Sequence, residues 1–113
     1  MLLAVDVGNT QTHLGVFRGA ELVCKWRIST DARRTADELA LTFRELLSLG
    51  GIDLGDDVSA VVIASVVPSA TGALKGMVRG CLSIDPLVVG PGTRTGMAVA
   101  TDNPREVGAD RIA

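Results

Sequence analysis

Three strand-like segments joined by two short turns open the sequence and constrain its fold most strongly. The apolar run at residues 2–5 is too short for a helix and is predicted to be a buried strand. Residues 12–17 form a second strand, and residues 21–28 alternate in polarity as a half-buried strand does. Short turns join antiparallel neighbours, so a three-stranded meander is expected. Its third strand is predicted to place four apolar side chains on one face: Leu22, Cys24, Trp26 and Ile28.

A helix is predicted to follow the meander. Thr35 and Glu38 form a capping-box pattern, apolar residues then recur at helical spacing, and Gly50 with Gly51 ends the run. The long, β-branched apolar stretch at residues 58–67 is typical of a central strand, and Pro68 is expected to end it.

Helices and strands continue to alternate towards the end of the chain. Residues 69–81 keep a helical spacing weakened by three glycines, and residues 86–89 are predicted to be a short strand. Pro104 suits the first turn of a last helix. The predicted order is therefore β-β-β-α-β-α-β-α, which gives an α/β domain with a mixed five-stranded sheet and helices packed on it.

Composition excludes several classes of function. The 113 residues suit one domain, and a net charge of −2, from 11 basic and 13 acidic residues, argues against nucleic acid or an anionic membrane as the partner. No signal peptide is expected, because no basic residue precedes the apolar start, and no membrane span is expected, because no apolar run approaches the ~20 residues it needs. Cys24 and Cys81 lie far apart in apolar runs, as in a reduced, cytoplasmic protein.

The first turn carries the first candidate site. Asp6 follows a buried strand, where ligands of α/β sheets tend to bind, and Gly8 lets the backbone approach an anion closely. Backbone N–H groups of such a turn can hold phosphate, and a carboxylate can hold Mg²⁺ directly or through water. Asn9 and Thr10 add short polar side chains. The alternative is an ordinary hairpin turn, because Gly8-Asn9 is also a strong turn signal.

The second candidate lies at Gly108, Ala109, Asp110 and Arg111, inside the predicted last helix. A carboxylate in a first helical turn often does no more than interact with the helix dipole. Beside Arg111, with Gly108 clearing space, Asp110 is also suited to accept a proton from a substrate hydroxyl during phosphoryl transfer.

Taken together, four segments resemble the type III pantothenate kinases, a family also known as Bvg accessory factors. They are the start through residues 3–10, the SVVP segment at 65–68, the GPGTRTG segment at 90–96 and the EVGADR segment at 106–111. They occur in the family's order across the whole chain. The resemblance implies a ribonuclease H-like domain of the actin-like superfamily, and an enzyme that phosphorylates pantothenate with ATP at the start of coenzyme A synthesis.

The resemblance also implies roles for individual residues. Asp110 is expected to be the catalytic base, Arg111 to bind the pantothenate carboxylate together with Gly108 and Ala109, and residues 90–96 to lie beside the pantothenate pocket. Asp6 is expected to hold the Mg²⁺ that accompanies ATP. The expected ATP-binding stretch comprises Asp6, Val7, Gly8, Asn9, Thr10, Gln11, Thr12 and His13.

Family members have a second ribonuclease H-like domain, which brings the remaining ATP contacts and a site for a monovalent cation, K⁺ or NH₄⁺. Residues 1–113 are therefore expected to be the N-terminal domain of a two-domain kinase, inactive alone and homodimeric in its complete form. Two alternatives stay open. Another actin-like sugar kinase or ATPase would share the Asp6 turn but not residues 108–111, and a non-catalytic interaction domain would use the same residues only to build turns.

Overall fold

The computed structural model describes residues 1–89, which form a mixed sheet with helices packed against it. Five strands and three helices follow one another along this part of the chain. In order they are β1 (Leu2–Val7), β2 (Gln11–Arg18), β3 (Glu21–Ser29), α1 (Ala36–Leu49), α2 (Leu54–Asp57), β4 (Ala60–Ser65), α3 (Pro68–Leu82) and β5 (Leu87–Val89).

The sheet has the strand order β3-β2-β1-β4-β5, with β1 at its centre. β1, β2 and β3 pair antiparallel as the predicted meander, whereas β4 pairs parallel with β1 and β5 parallel with β4. The predicted mixed five-stranded sheet is confirmed. Because β1, β4 and β5 run in the same direction, their carboxyl ends meet at one edge of the sheet, called here the carboxyl edge.

All three helices contribute to one hydrophobic cluster on a single face of the sheet, called here the helix-covered face. Alternate strand residues such as Leu3, Val5 and Val7 enter this cluster and meet Phe43 of α1 and Leu74 of α3. The residues between them lie on the opposite face, which carries Ala4 and Asp6 of β1. Burial of the apolar side chains in the cluster is what holds the helices against the sheet.

The first helix begins and ends where the sequence predicted. The Thr35 hydroxyl accepts a hydrogen bond from the Glu38 N–H at 3.1 Å, and the Glu38 carboxylate accepts one from the Thr35 N–H at 2.8 Å. The helix ends at Leu49, and Gly50 follows as its C-cap. The short α2 was not predicted. Its N-cap Asp53 accepts hydrogen bonds from the backbone N–H groups of the first turn.

The prediction for the third strand is wrong at one position. Cys24, Trp26 and Ile28 pack against the helix-covered cluster as expected. A bulge between Val16 and Phe17 shifts the register, so that Cys24 faces Val16 but Leu22 faces Phe17. Leu22 therefore changes face, lies beside Gly15 and remains 41% exposed.

The fourth strand is shorter than predicted, since it runs over Ala60–Ser65 rather than residues 58–67. Pro68 does more than end the extended segment, because it is the first residue of α3. The predicted last helix from Pro104 lies outside the described residues. None of the helices within residues 1–89 is long and apolar enough to cross a bilayer.

Candidate functional site

The first hairpin lies at the carboxyl edge, between β1 and β2. Asp6 and Val7 belong to the strand itself, and the Gly8 N–H donates to the Gln11 carbonyl at 2.9 Å to close the turn. Close approach favours glycine at position 8, because a Cβ here would lie 3.2 Å from the Gln11 carbonyl oxygen and the turn would have to shift slightly. Neither Gly8, Asn9 nor Thr10 has a positive φ, so the predicted turn forms without the left-handed residues of primed hairpin turns.

The turn presents donors outward. Asn9 and Thr10 are exposed, and within residues 1–89 their backbone N–H groups donate to no other protein group. The Gly8 N–H, by contrast, is already bound to Gln11. The Thr10 carbonyl accepts the Thr30 N–H at 2.9 Å, which ties the turn to the end of β3. Two adjacent open N–H groups on a braced turn are suited to an anion such as phosphate.

Two residues of the predicted ATP-binding stretch point into the protein. Val7 is 2% exposed and Thr12 is 6% exposed, and both lie on the helix-covered face. The Thr12 hydroxyl is 2.8 Å from the Thr30 hydroxyl, so this buried polar group has a hydrogen-bond partner. Both threonines line a cavity of about 20 Å³, large enough for one water molecule. The side chains of Val7 and Thr12 are therefore part of the buried interior of the protein.

Asp6 lies on the opposite face, in a row of residues that crosses the sheet. It pairs with His13 of β2, and His13 pairs with Arg27 of β3. On the other side Asp6 is in register with Ala64 of β4. Residues paired directly across antiparallel strands point to the same face, with Cβ atoms about 5 Å apart. Asp6 is half-buried, whereas His13 and Arg27 are exposed. Arg27 was not predicted as a site residue, because its position opposite His13 depends on the register between β2 and β3.

The segment at residues 65–68 lies beside the Asp6 turn. Val66 donates its N–H to the Val7 carbonyl at 3.1 Å, which extends the parallel pairing beyond β4. The Ser65 hydroxyl bridges the Val67 N–H and carbonyl, at 3.0 and 3.1 Å, and α3 begins at the next residue. Two of the four segments that carry the family resemblance are thus adjacent at the carboxyl edge.

The loop between β3 and α1 completes the described rim of this edge. Asp31 accepts hydrogen bonds from the backbone N–H and the side chain of Arg33, which together lower the pKa of its carboxyl group. The Arg33 side chain is 91% exposed and Arg34 lines the small cavity by Thr12. Arg33 is therefore a solvated, locally paired charge.

The remaining sequence-predicted site residues lie outside the described residues. They are the segment 90–96 and the residues Gly108, Ala109, Asp110 and Arg111. The structure therefore describes the geometry of the Asp6 turn, while the roles expected at residues 108–111 stay predictions.

Comparisons with known proteins identify close sequence relatives. A family model described as type III pantothenate kinase matches residues 2–113. The curated type III pantothenate kinases of Moorella thermoacetica and Geobacter sulfurreducens are 53% and 54% identical to this chain, each over 112 residues. Each match covers 99% of this chain and 44% of the relative, so the chain spans less than half the length of the curated relatives it matches.

The fold also has a counterpart among solved structures. The ROK hexokinase of Thermus thermophilus superposes with a TM-score of 0.58 at 15% sequence identity, over 79% of this chain and 34% of that one. At this identity the likeness concerns the fold alone. It supports the predicted α/β, ribonuclease H-like fold, which is confirmed.

Proposed function

The chain belongs to the type III pantothenate kinase family, and on that premise we propose that the full-length protein phosphorylates pantothenate with ATP, the first step of coenzyme A synthesis. The observation that carries the proposal is identity above 50% along 99% of this chain with curated members of the family. The hexokinase likeness gives no support to the sugar-kinase alternative, because it is a likeness of fold.

The Asp6 turn is suited to the phosphates of ATP. The N–H groups of Asn9 and Thr10 are open to an anion, and the exposed side chains of Asn9, Thr10 and Gln11 surround them. The side chains of Val7 and Thr12 are buried, so any contact they make with ATP is through the backbone. The side chain of His13 lies in the Asp6 row and borders the same region.

The donor set at Asp6 fits a magnesium ion bound together with a nucleotide. Within residues 1–89 no group of three or more acidic, histidine or cysteine side chains is placed to hold a metal alone. Magnesium is commonly held by one or two carboxylates, waters and substrate phosphates, so a single carboxylate beside a phosphate site suffices. Asp6 would hold the ion directly or through water. The ion would neutralise charge on the phosphates of ATP.

The residues that act on pantothenate are assigned by family resemblance. We place the catalytic base at Asp110, which would accept the proton of the pantothenate hydroxyl as the phosphoryl group is transferred. Arg111 would bind the pantothenate carboxylate through two parallel hydrogen bonds, with Gly108 and Ala109 beside it. Replacing Asp110 by Asn should lower turnover roughly hundred- to ten-thousand-fold, whereas Arg111→Lys should chiefly weaken pantothenate binding.

The rest of the proposal concerns the part of the relatives that this chain does not cover. We place there a second ribonuclease H-like domain with the remaining ATP contacts and the site for K⁺ or NH₄⁺. The complete enzyme is proposed to be a cytoplasmic homodimer. Residues 1–113 alone are expected to be inactive, because half of a two-domain cleft cannot enclose the nucleotide.

The test is ATP-dependent phosphorylation by the full-length protein with a panel of acceptors. Pantothenate, glucose and N-acetylglucosamine would be compared by ADP release, with product identity checked by mass spectrometry. Phosphate transfer to pantothenate alone supports the proposal. Transfer to a sugar and not to pantothenate would establish the sugar-kinase alternative, and ATP binding without transfer to any acceptor would favour the non-catalytic one.

A further inference from the structure

The row of side chains that contains Asp6 ends in an arginine. Asp6 faces His13, and His13 faces Arg27, so the three side chains share the face opposite the helices. Adjacent strands lie about 4.8 Å apart, which puts the backbone of Arg27 roughly 10 Å from that of Asp6. An arginine side chain is long enough to extend over the neighbouring strand towards the ligand side of Asp6.

The negative charge of a nucleotide would be further offset by a cationic side chain at this place. ATP carries a strongly negative phosphate chain, and the Asp6 carboxylate adds negative charge where that chain is proposed to bind. Two other arginines in the described part of the chain are engaged, since Arg33 bonds to Asp31 and Arg79 bonds to Asp85. Arg27 makes no ion pair or side-chain hydrogen bond within residues 1–89.

We propose that Arg27 binds the phosphate chain of ATP across the strand from His13, an inference that rests on the proposed kinase function. A guanidinium presents several donors in a fixed plane and matches phosphate oxygens in a two-pronged contact. Its place at the third strand of the meander extends the ATP site one strand beyond the stretch from Asp6 to His13.

Lys25 provides the matched control. It lies on β3, on the same face as Arg27, in register with Gly15 rather than His13. Two residues along a strand correspond to about 7 Å, which moves its row away from Asp6 and the carboxyl edge. Both residues are exposed charges on an edge strand, where such charges discourage aggregation. If both charges only discourage aggregation, substitutions of Arg27 and Lys25 should have the same effect on ATP binding. If Arg27 binds phosphate, only its substitution should weaken ATP binding.

The experiment is calorimetry of the full-length protein with Mg²⁺ and ATP, ADP or adenosine, on the wild type and on Arg27→Gln, Arg27→Lys and Lys25→Gln. Arg27→Gln is expected to weaken ATP binding roughly ten- to hundred-fold, the loss typical of a hydrogen bond to a charged group. Adenosine binding should not change. Arg27→Lys should recover part of the loss, because lysine keeps the charge without the two-pronged geometry. Lys25→Gln should bind ATP as the wild type does.

Steady-state kinetics separate this inference from the proposed function. Arg27→Gln should raise KM for ATP and leave KM for pantothenate unchanged, with a melting temperature equal to that of the wild type. The inference is overturned if Arg27→Gln and Lys25→Gln bind ATP equally well, or if only pantothenate binding is weakened. A wild type that binds ATP but does not phosphorylate pantothenate would refute the proposed function, while calorimetry with ATP would still decide the role of Arg27.

Discussion

The two hairpins of the meander are built differently, although they join the same three strands. The first turn, at Gly8, Asn9 and Thr10, has no residue with positive φ and presents open N–H groups at the carboxyl edge. The second turn depends on Gly19, which has a φ of +62°, and a Cβ there would meet no atom within 4 Å. Glycine is thus favoured in the second turn by its positive φ, and in the first turn by a close backbone contact. Only the first turn also exposes unbonded N–H groups.

This difference separates a turn that only reverses the chain from one that is suited to bind a ligand. Both contain a glycine next to a polar residue, Asn9 in the first turn and Arg18 in the second, so composition alone would treat them alike. Their locations differ as well, because the first lies where β1 and β4 end and the second lies at the other end of the sheet. Substitutions in the two turns should therefore affect different measurable properties.

The largest expected effect is that of Asp6→Asn in the full-length protein. The change keeps the shape of the side chain and removes the charge proposed to hold Mg²⁺ beside the phosphates. Turnover should fall roughly hundred- to thousand-fold, as it does when one preorganised electrostatic contact is removed from an active site. Steady-state kinetics across a Mg²⁺ titration, with circular dichroism to confirm folding, provide the measurement. Unchanged turnover of the variant at limiting Mg²⁺ would show that Asp6 does not hold the magnesium ion.

Thr12→Val tests whether the inward side of the first hairpin is structural. The substitution leaves the Thr30 hydroxyl without its partner at 2.8 Å, which should lower the free energy of unfolding by about 2 kcal/mol. The kinetic constants for ATP should not change, because the side chain lies on the helix-covered face. Combining it with Thr30→Val should restore part of the stability, since both hydroxyls are then removed. An increase in KM for ATP with stability unchanged would reverse this assignment.

Gly8→Ala tests the close approach within the first turn. The added Cβ would lie 3.2 Å from the Gln11 carbonyl oxygen, so the turn must shift by a few tenths of an ångström. A displacement of the Asn9 and Thr10 N–H groups should weaken ATP binding by about ten-fold, because small misplacements of binding groups are costly. Calorimetry with ATP gives the measurement. Wild-type affinity would show that the turn does not hold the phosphates.

Gly19→Ala is the matched substitution in the second turn, and its expected effect is the smallest. Alanine at a φ of +62° is strained, although the space around it is open, so the free energy of unfolding should fall by about 1 kcal/mol. ATP binding and turnover should equal those of the wild type when measured below the melting temperature. A loss of ATP affinity here comparable with that of Gly8→Ala would erase the distinction between the two turns.

The sequence predicted those features of the fold that depend on residues close together along the chain. The capping box of Thr35 and Glu38 and the stop at Gly50 form as expected, because the partners lie within one turn of the helix. The bulge in β3, and with it the orientation of Leu22, was missed, since a bulge is a property of two paired strands. The helix α2 was missed because four residues capped by Asp53 show no helical periodicity.

The candidate site shows the same division. Asp6 and the turn after it could be identified from one segment of sequence, since a carboxylate after a buried strand is a local pattern. The inward orientation of Thr12 and the place of Arg27 could not, because they depend on how β2 pairs with β1 and with β3. Strand register joins residues that are distant in sequence, and neither composition nor spacing specifies it.

The central position of β1 has a consequence for the order in which the protein folds during synthesis. Its antiparallel neighbour β2 follows within a few residues, so the meander and its first turn need only the first 29 residues of the chain. Its parallel neighbour β4 begins at Ala60, and helix α1 must be made before that strand is available. As the chain emerges from the ribosome, the Asp6 turn can thus form while one side of β1 is still unpaired, and closing the long loop to β4 is expected to be the slower step.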